Sequence, residues 1–292
     1  MNCLLLGGTG FIGQKIAAQR PEWRWTIVGK QDADLFKETE ITKLIGSYDI
    51  VINCAGFYGG LPFNTYNKDI IYSKNFNINN NVCKLVAMIQ PKKFVQISSA
   101  CVYPDYGNYK LLEKDITGES FHPSVIESGR AKYHMLELLQ ASNIKYEYLV
   151  ISNVYGPNEH LDYEKSHFIG ALANKIHHAT EKVQLMGTGS AVRDFVFVTD
   201  MAEAVCKYCE LESSTCLPTN ISTGQGHTIK QIAELLIKQS KKDLQVEWGS
   251  SDQNGTPVKI LDNTKMLSDI GYVPETDIIT GLKKLWEWIQ NK

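Results

Sequence analysis

This chain of 292 residues lacks an excess of charge of either sign and lacks long apolar runs, and each absence excludes a class of protein. Neither sign of charge dominates, because 30 basic residues stand against 32 acidic ones and the net charge is −2. No overall field would therefore attract nucleic acid or a membrane surface. No run approaches the ~20 apolar residues that a membrane span requires. With 43% hydrophobic and 21% charged residues, the composition is that of an ordinary globular protein.

The cysteines do not have the spacing of a disulfide framework. They are seven in number: Cys3, Cys54, Cys83, Cys101, Cys206, Cys209 and Cys216. Cys206 and Cys209 form a C-x-x-C pair, but no second pair or histidine pair completes a tetrahedral ligand set, so we interpret them as buried helix residues and expect no metal site. The apolar start MNCLLL is too short for a signal peptide. We therefore expect a cytoplasmic protein with free thiols.

Short apolar runs alternate with helical patterns in the first half of the chain. The runs are at 3–6, 25–28, 50–54, 94–97 and 147–151, and the longest helical patterns are at 69–89 and 124–140. This alternation predicts an α/β fold with a doubly wound, parallel, Rossmann-type sheet. We expect a dinucleotide-binding domain over 1–155, rejoined by segments within about 193–222, and a smaller α/β substrate lobe over the rest of 156–292.

A glycine-rich loop follows the first apolar run. The segment GGTGFIG at 7–13 fits G-x-x-G-x-x-G and lies between a predicted strand and a predicted helix. In that context glycines permit a tight turn and a close approach of a pyrophosphate to the helix N-terminus. The sequence therefore predicts a dinucleotide site, with contacts at Gly7, Thr9, Gly10, Phe11, Ile12 and Gly13.

The end of the second apolar run bears on the choice of cofactor. An NAD enzyme usually has Asp or Glu there for the ribose diol. Here the run ends in Val28-Gly29-Lys30, and the nearest acids, Asp32 and Asp34, come later. A lysine suits a 2′-phosphate, so we predict NADP; NAD remains the alternative if Lys30 is a solvated surface residue.

Further segments follow in a fixed order through the rest of the chain. They are NCAGFYGG at 53–60, SSACVYP at 98–104, SNVYGP at 152–157, SHFI at 166–169, GTG at 187–189 with RDFVFVTD at 193–200, and GTPVKILD at 255–262. Together with the glycine loop, they resemble the extended short-chain dehydrogenases, and within them the GDP-L-fucose synthases. The resemblance covers nearly the whole chain.

This resemblance implies a reaction on a nucleotide-linked 4-keto-6-deoxyhexose. The ketone acidifies the hydrogens on carbons 3 and 5, so a thiol and an imidazole can remove and return protons there. Cys101 and His167 would be that epimerising pair, while Ser99 would bind the ketone. Lys132 would bind the nicotinamide ribose, and NADPH would then reduce carbon 4.

The resemblance also implies binding residues and partners. Asn53, Ala55 and Gly56 would lie beside the dinucleotide, and Asn153, Met186, Arg193 and Lys259 beside the nucleotide-diphosphate sugar. The guanidinium fork of Arg193 matches a diphosphate, whereas methionine at 186 does not distinguish bases and leaves guanine open. The helices at 69–89 and 124–140 correspond to the pair that forms the dimer interface in this superfamily, so a homodimer is expected.

One position departs from the family pattern. The proton donor in Tyr-x-x-x-Lys is replaced here by Ser128, four residues before Lys132 and on the same helix face. A serine hydroxyl is shorter and a much poorer acid than a phenol of pKa ~10. Tyr133 lies about 100° around the helix and faces elsewhere.

Three explanations compete for this departure. Ser128, or a water that it holds, relays the proton with help from Lys132 or Ser99; or the enzyme epimerises without reducing; or the chain is a non-catalytic dinucleotide-binding or sensing protein. The presence of both Cys101 and His167 argues against the third explanation, and the first two stay open.

Overall fold

The computed structural model describes residues 1–59, 61–105, 110–162 and 166–292, so Gly60 of the NCAGFYGG loop lies outside the described residues. The strands are β1 (Asn2–Leu6), β2 (Arg24–Val28), β3 (Ile50–Asn53), β4 (Lys93–Ser99), β5 (Lys110–Leu111), β6 (Tyr146–Ile151), β7 (Asn153–Tyr155), β8 (Lys182–Leu185), β9 (Val192–Phe197), β10 (Pro218–Ile221), β11 (Gly226–Thr228), β12 (Gln245–Trp248) and β13 (Val258–Leu261). The helices are α1 (Phe11–Gln19), α2 (Glu38–Ile41), α3 (Leu61–Tyr66), α4 (Lys68–Ile89), α5 (Ile126–Gln140), α6 (Phe168–His178), α7 (Val198–Glu210), α8 (Ile229–Ser240), α9 (Thr264–Ile270) and α10 (Ile278–Gln290). None of these described helices is long and apolar enough to cross a membrane.

The central sheet is parallel, with strand order β10-β6-β4-β3-β1-β2. Successive side chains point to opposite faces of a strand, so β1 contributes to two cores. Leu4 and Leu6 pack in the core that includes residues of α4 and α5, and Cys3 and Leu5 pack in the core that includes residues of α1 and α7. Helices on both faces explain why the side chains of β1 from Cys3 to Leu6 are all buried. The predicted α/β Rossmann-type fold is confirmed.

The second half of the chain builds a smaller sheet. Strand β9 pairs with β7, β11 and β13 rather than with the central sheet. The reason is that the chain leaves the central sheet after β6 and offers the new strand β7 to β9. Strand β10 does rejoin the central sheet, beside β6. The division into two domains near residue 155 stays a prediction.

The C-x-x-C pair lies on α7, which packs against α1. Cys206 and Cys209 are both buried, and the Sγ of Cys206 contacts the carbonyl oxygen of Ile16 at 3.7 Å. Burial raises the pKa of Cys206 to about 12. Their interpretation as buried helix cysteines is confirmed. All seven thiols are free, and the reducing compartment stays a prediction.

Candidate active site

The glycine loop forms a cradle at the C-terminal end of β1. Gly7 has φ +71°, and a Cβ placed on it would lie 2.7 Å from the backbone nitrogen of Ala55. A Cβ on Gly13 would lie 2.6 Å from the Cα of Gly8, so α1 packs directly on the loop. Gly10 is the N-cap of α1, and no side chain of the described structure caps it. The first-turn amides of α1 are therefore left for an anionic ligand, and the cradle fits a pyrophosphate.

The loop after β3 forms the second wall of this cradle. The buried amide of Asn53 donates to Oε1 of Gln96 at 2.8 Å, and its Oδ1 accepts from the backbone N–H of Ala55 at 3.0 Å. Asn53 thereby holds Ala55 against Gly7. The structure thus gives Asn53 a role in shaping the loop, and direct contacts of Asn53, Ala55 and Gly56 with a dinucleotide stay predictions.

Two lysines converge at the end of β2. Lys30 is exposed, with its Nζ 5.7 Å from the ring centroid of Phe36. The Nζ of Lys74, on α4, lies 5.5 Å from the same centroid and 4.1 Å from that of Phe57. The nearby acid Asp32 accepts the N–H of Gly29 and so shapes the turn. Sequence reasoning found Lys30 but missed Lys74, because only the fold brings α4 to this point.

The residues predicted to be catalytic meet where β4 ends. The Oγ of Ser99 accepts the N–H of Cys101 at 3.4 Å, at the start of a short 3-10 turn. Helix α5 approaches this turn so closely that a Cβ on Gly129 would lie only 2.6 Å from the carbonyl oxygen of Cys101. This contact brings Ser128 and Lys132 to the same place. Ser128 is buried, and the Nζ of Lys132 donates to the carbonyl of Ile97 at 3.4 Å.

Cys101 lies near two lysines, one on helix α5 and one on strand β13. Burial lowers the pKa of Lys132 to about 8, and the thiols of Cys101 and Cys54 oppose that shift. Lys259, on β13, donates to the carbonyl of Ala100 at 3.4 Å. Burial lowers its pKa too, while the Cys101 thiol acts to raise it. The arrangement suits a reaction in which negative charge develops beside the thiol.

The predicted substrate residues line the smaller sheet. Arg193 pairs in register with Lys259 on the neighbouring strand, and its Nη1 donates to the carbonyl of Thr256 at 2.7 Å. The amide of Asn153 donates to the carbonyl of Asp194 at 2.8 Å, which commits its nitrogen to the fold. Met186 is 51% exposed. The adjacent cations Arg193 and Lys259 suit a diphosphate, and the substrate contacts of all four residues stay predictions.

His167 lies at the start of α6. It is the N-cap of α6, and its backbone N–H donates to Oε1 of the buried Glu159 at 2.9 Å. Its side chain reaches solvent, yet the surrounding protein lowers its pKa, with His160 adding to the shift. None of these contacts joins His167 to Cys101, so its role as the second base stays a prediction.

The chain was compared with known proteins. Residues 3–219 match the NAD dependent epimerase/dehydratase family. The chain belongs to this family. GDP-L-fucose synthase 1 of Arabidopsis thaliana is 30% identical over 97% of this chain and 91% of that protein. GDP-L-colitose synthase of Yersinia pseudotuberculosis is 26% identical over 100% and 99%.

Solved structures share the fold of this family member. A GDP-6-OMe-4-keto-L-xylo-heptose reductase from C. jejuni superposes with a TM-score of 0.93 at 20% identity, covering 99% of this chain and 97% of that one. A GDP-L-fucose synthetase from Naegleria fowleri bound to NADP gives 0.87 at 20% identity, covering 99% and 94%. The predicted family resemblance is confirmed. The chain is an enzyme of the epimerase/dehydratase family, with a nicotinamide dinucleotide as its cofactor.

Two tyrosines decide how this epimerase/dehydratase family member could replace its missing phenol. Tyr133 packs against Gly118, where a Cβ would lie 2.3 Å from its ring. Tyr58, in the loop after β3, has its ring centroid 4.4 Å from the Nζ of Lys132. Sequence reasoning missed Tyr58, since its only sequence signal was a place inside the NCAGFYGG loop.

The buried carboxyl below His167 gives a first testable prediction. Burial raises the pKa of Glu159 from 4.5 to about 8, although the hydrogen bond from the backbone N–H of His167 acts to lower it. Among described residues, Oε2 of Glu159 has no hydrogen-bond partner. Between these values the folded state holds a proton that the unfolded state has lost. Stability should therefore fall as pH rises from about 4.5 to about 8.

Glu159→Gln mimics the neutral acid and should remove this dependence. We expect the melting temperature of the wild type to fall relative to that of Glu159→Gln between pH 5 and 8. Thermal unfolding of both proteins across this range checks it, with the exposed Glu119→Gln as a matched control. Parallel curves for wild type and Glu159→Gln would show that Glu159 is ionised in the folded protein.

Proposed function

We propose that this enzyme is a nucleotide-sugar epimerase/reductase that acts on a 4-keto-6-deoxyhexose linked to a nucleoside diphosphate. It would epimerise carbons 3 and 5 and then reduce carbon 4. The observation that supports this most is the position of Cys101 near both Lys132, beside the dinucleotide cradle, and Lys259, in the substrate lobe. A thiol there can reach a sugar whose diphosphate is held by the smaller sheet.

Each nearby side chain then has a chemical task. Ser99 hydrogen-bonds the ketone, which polarises it and acidifies the neighbouring carbons. Cys101 and His167 remove and return protons at carbons 3 and 5. The cations of Lys132 and Lys259 stabilise the negative charge that forms on the sugar oxygen. NADPH, when bound, supplies the hydride for carbon 4.

We propose a GDP-sugar as the substrate. The supporting fact is that the relatives named above are GDP-L-fucose and GDP-L-colitose synthases. Met186, at the position expected to lie beside the base, is exposed. A methionine side chain there can accommodate guanine but does not select it over other bases.

One incubation in heavy water tests the proposal. The enzyme is given GDP-4-keto-6-deoxymannose and NADPH, and the product is followed by mass spectrometry and by absorbance of the reduced nicotinamide. We expect two deuterons, at carbons 3 and 5, and loss of NADPH. Exchange without NADPH loss would instead favour the alternative, an epimerase that does not reduce. If both signals were absent, the result would favour a non-catalytic dinucleotide-binding protein.

NADP is proposed as the cofactor on the strength of two lysines. Lys30 and Lys74 bring two positive charges to one ring, Phe36, at the end of β2. A 2′-phosphate bound at this end of β2 would be attracted by both charges. NAD, the alternative, has no 2′-phosphate for them to bind.

Removing these charges should therefore separate the two cofactors. We expect Lys30→Gln or Lys74→Gln to weaken NADPH binding by about 10- to 100-fold, the range of a hydrogen bond to a charged group. NADH binding should stay unchanged, because NADH has no 2′-phosphate. Fluorescence titration of both cofactors checks this, with Lys92→Gln, an exposed lysine paired to Asp49, as control. Equal losses for NADPH and NADH would contradict the assignment.

A homodimer through α4 and α5 is also proposed. The two helices pack together, and their exposed apolar side chains include Ile70, Phe76 and Ile126. Such a surface on neighbouring helices suits a second copy of the same face. Sedimentation equilibrium tests it, and a monomer at micromolar concentration would contradict it.

A further inference from the structure

The helix that carries Lys132 offers no phenol to a ketone bound at Ser99. Ser128 occupies the family's tyrosine position and is buried. Tyr133, the next residue after Lys132, packs against Gly118. A phenol that donates the proton would therefore have to come from another wall of the site.

Tyr58 approaches Lys132 from the opposite wall, the loop after β3. Its ring centroid lies 4.4 Å from the Nζ of Lys132. The ring folds back over Gly56, where a Cβ would lie 2.5 Å from Cε2 of Tyr58. Any larger residue at 56 would displace the ring, so Gly56 makes the space in which the tyrosine lies. The same ring is close enough to Cys101 and Tyr148 for their charges to affect it.

We propose that the Tyr58 hydroxyl donates the proton to the carbon-4 oxygen, in place of the tyrosine that is absent at 128. This inference rests on the proposed function. The ketone gains a hydride on carbon 4 from NADPH, which becomes NADP⁺, and a proton on its oxygen from Tyr58. The O–H bond of Tyr58 breaks, an O–H bond forms on the sugar, and the phenolate takes a new proton from solvent.

The surroundings of Tyr58 suit a donor. Burial raises the pKa of Tyr58 well above its usual value, which keeps the hydroxyl protonated but opposes its ionisation. The ammonium of Lys132 on the ring face attracts the negative charge that spreads into the ring as the proton leaves. Lys132 therefore assists the phenolate as its counterpart would in a Tyr-x-x-x-Lys pair.

A competing donor is present and enters the same test. A pocket of about 250 Å³ borders Ser128, with Asn64 and Lys68 among its lining residues, and it has room for a relay water. Ser128→Ala removes that relay, and Tyr58→Phe removes the phenol hydroxyl while keeping the ring. The exposed Tyr66→Phe is the matched control.

Three measurements are made on each variant with GDP-4-keto-6-deoxymannose: NADPH oxidation, deuterium exchange at carbons 3 and 5 without NADPH, and NADPH binding by fluorescence. We expect Tyr58→Phe to oxidise NADPH about 100-fold or more slowly, the usual size of a general-acid contribution. Its exchange and NADPH binding should stay at wild-type levels. The exposed Tyr66→Phe should keep all three, and Ser128→Ala should retain far more NADPH oxidation than Tyr58→Phe does. The double variant Tyr58→Phe, Ser128→Tyr should recover NADPH oxidation, since it restores the family's donor.

Other outcomes overturn the proposal in distinguishable ways. Normal NADPH oxidation by Tyr58→Phe, with loss in Ser128→Ala, would assign the donor to Ser128 and leave the proposed function standing. Exchange without NADPH oxidation in the wild type would remove the reduction step and with it any donor. If the wild type showed no exchange and no NADPH oxidation, the proposed function would be overturned together with the role of Tyr58.

Discussion

Replacing Cys101 by serine should nearly abolish deuterium exchange at the carbon that this residue serves, by about 10²- to 10⁴-fold. A thiol is a much stronger acid than a serine hydroxyl, so a thiolate base forms far more readily than an alkoxide. Ser99, Lys132 and Lys259 would remain in place, because the two side chains differ by one atom. Mass spectrometry of sugar incubated in heavy water measures the loss.

The matched control is Cys83→Ser. Cys83 is also half-buried, but it lies on α4 with its Sγ 3.6 Å from the Sδ of Met135. We expect its exchange to equal that of the wild type. If Cys101→Ser also exchanged normally at both carbons, the base would be another group, and the role of the lysine pair around Cys101 would need to be reassigned.

Replacing Gly7 by alanine should cost both stability and cofactor binding. Its left-handed backbone at φ +71° would cost alanine about 1–2 kcal/mol. The new Cβ would also lie 2.7 Å from the nitrogen of Ala55, and overpacking of this kind costs about 1–3 kcal/mol more. Because the overlap displaces the wall that faces the pyrophosphate, NADPH affinity should fall about tenfold or more. Urea unfolding and fluorescence titration measure the two losses.

Gly271→Ala separates the two contributions. Gly271 has φ +59°, at the end of α9, and no atom lies within 4 Å of a Cβ placed there. This variant should lose only the conformational part, about 1–2 kcal/mol, and should bind NADPH normally. Equal stability losses in the two variants would mean that the glycine loop relaxes around the methyl group and that the close approach to Ala55 is not rigid.

Local patterns in the sequence determined the central sheet and the cofactor cradle. The glycine loop at 7–13 follows a strand and opens a helix, and its spacing alone implies an uncapped helix end at the sheet edge. The meeting of Ser99, Ser128 and Lys132 near Cys101 was expected from the family resemblance, in which Ser99 ends a strand and Lys132 lies one helical turn after Ser128. In these cases the deciding interaction is between residues close in sequence, or between the ends of parallel strands.

Only the tertiary structure decided which distant side chains meet. Lys74 joins Lys30, and Tyr58 joins Lys132, through contacts between elements far apart in the chain, and no spacing rule encodes them. The segment that forms β9 had a strand-like pattern in the sequence. Its pairing partner depends on which strand has an unpaired edge nearby, and in the structure that strand is β7. The sequence determined which chemical groups this enzyme contains and where each strand ends. Packing determined which of them face one another, because side-chain contacts depend on how helices and loops lie on the sheet.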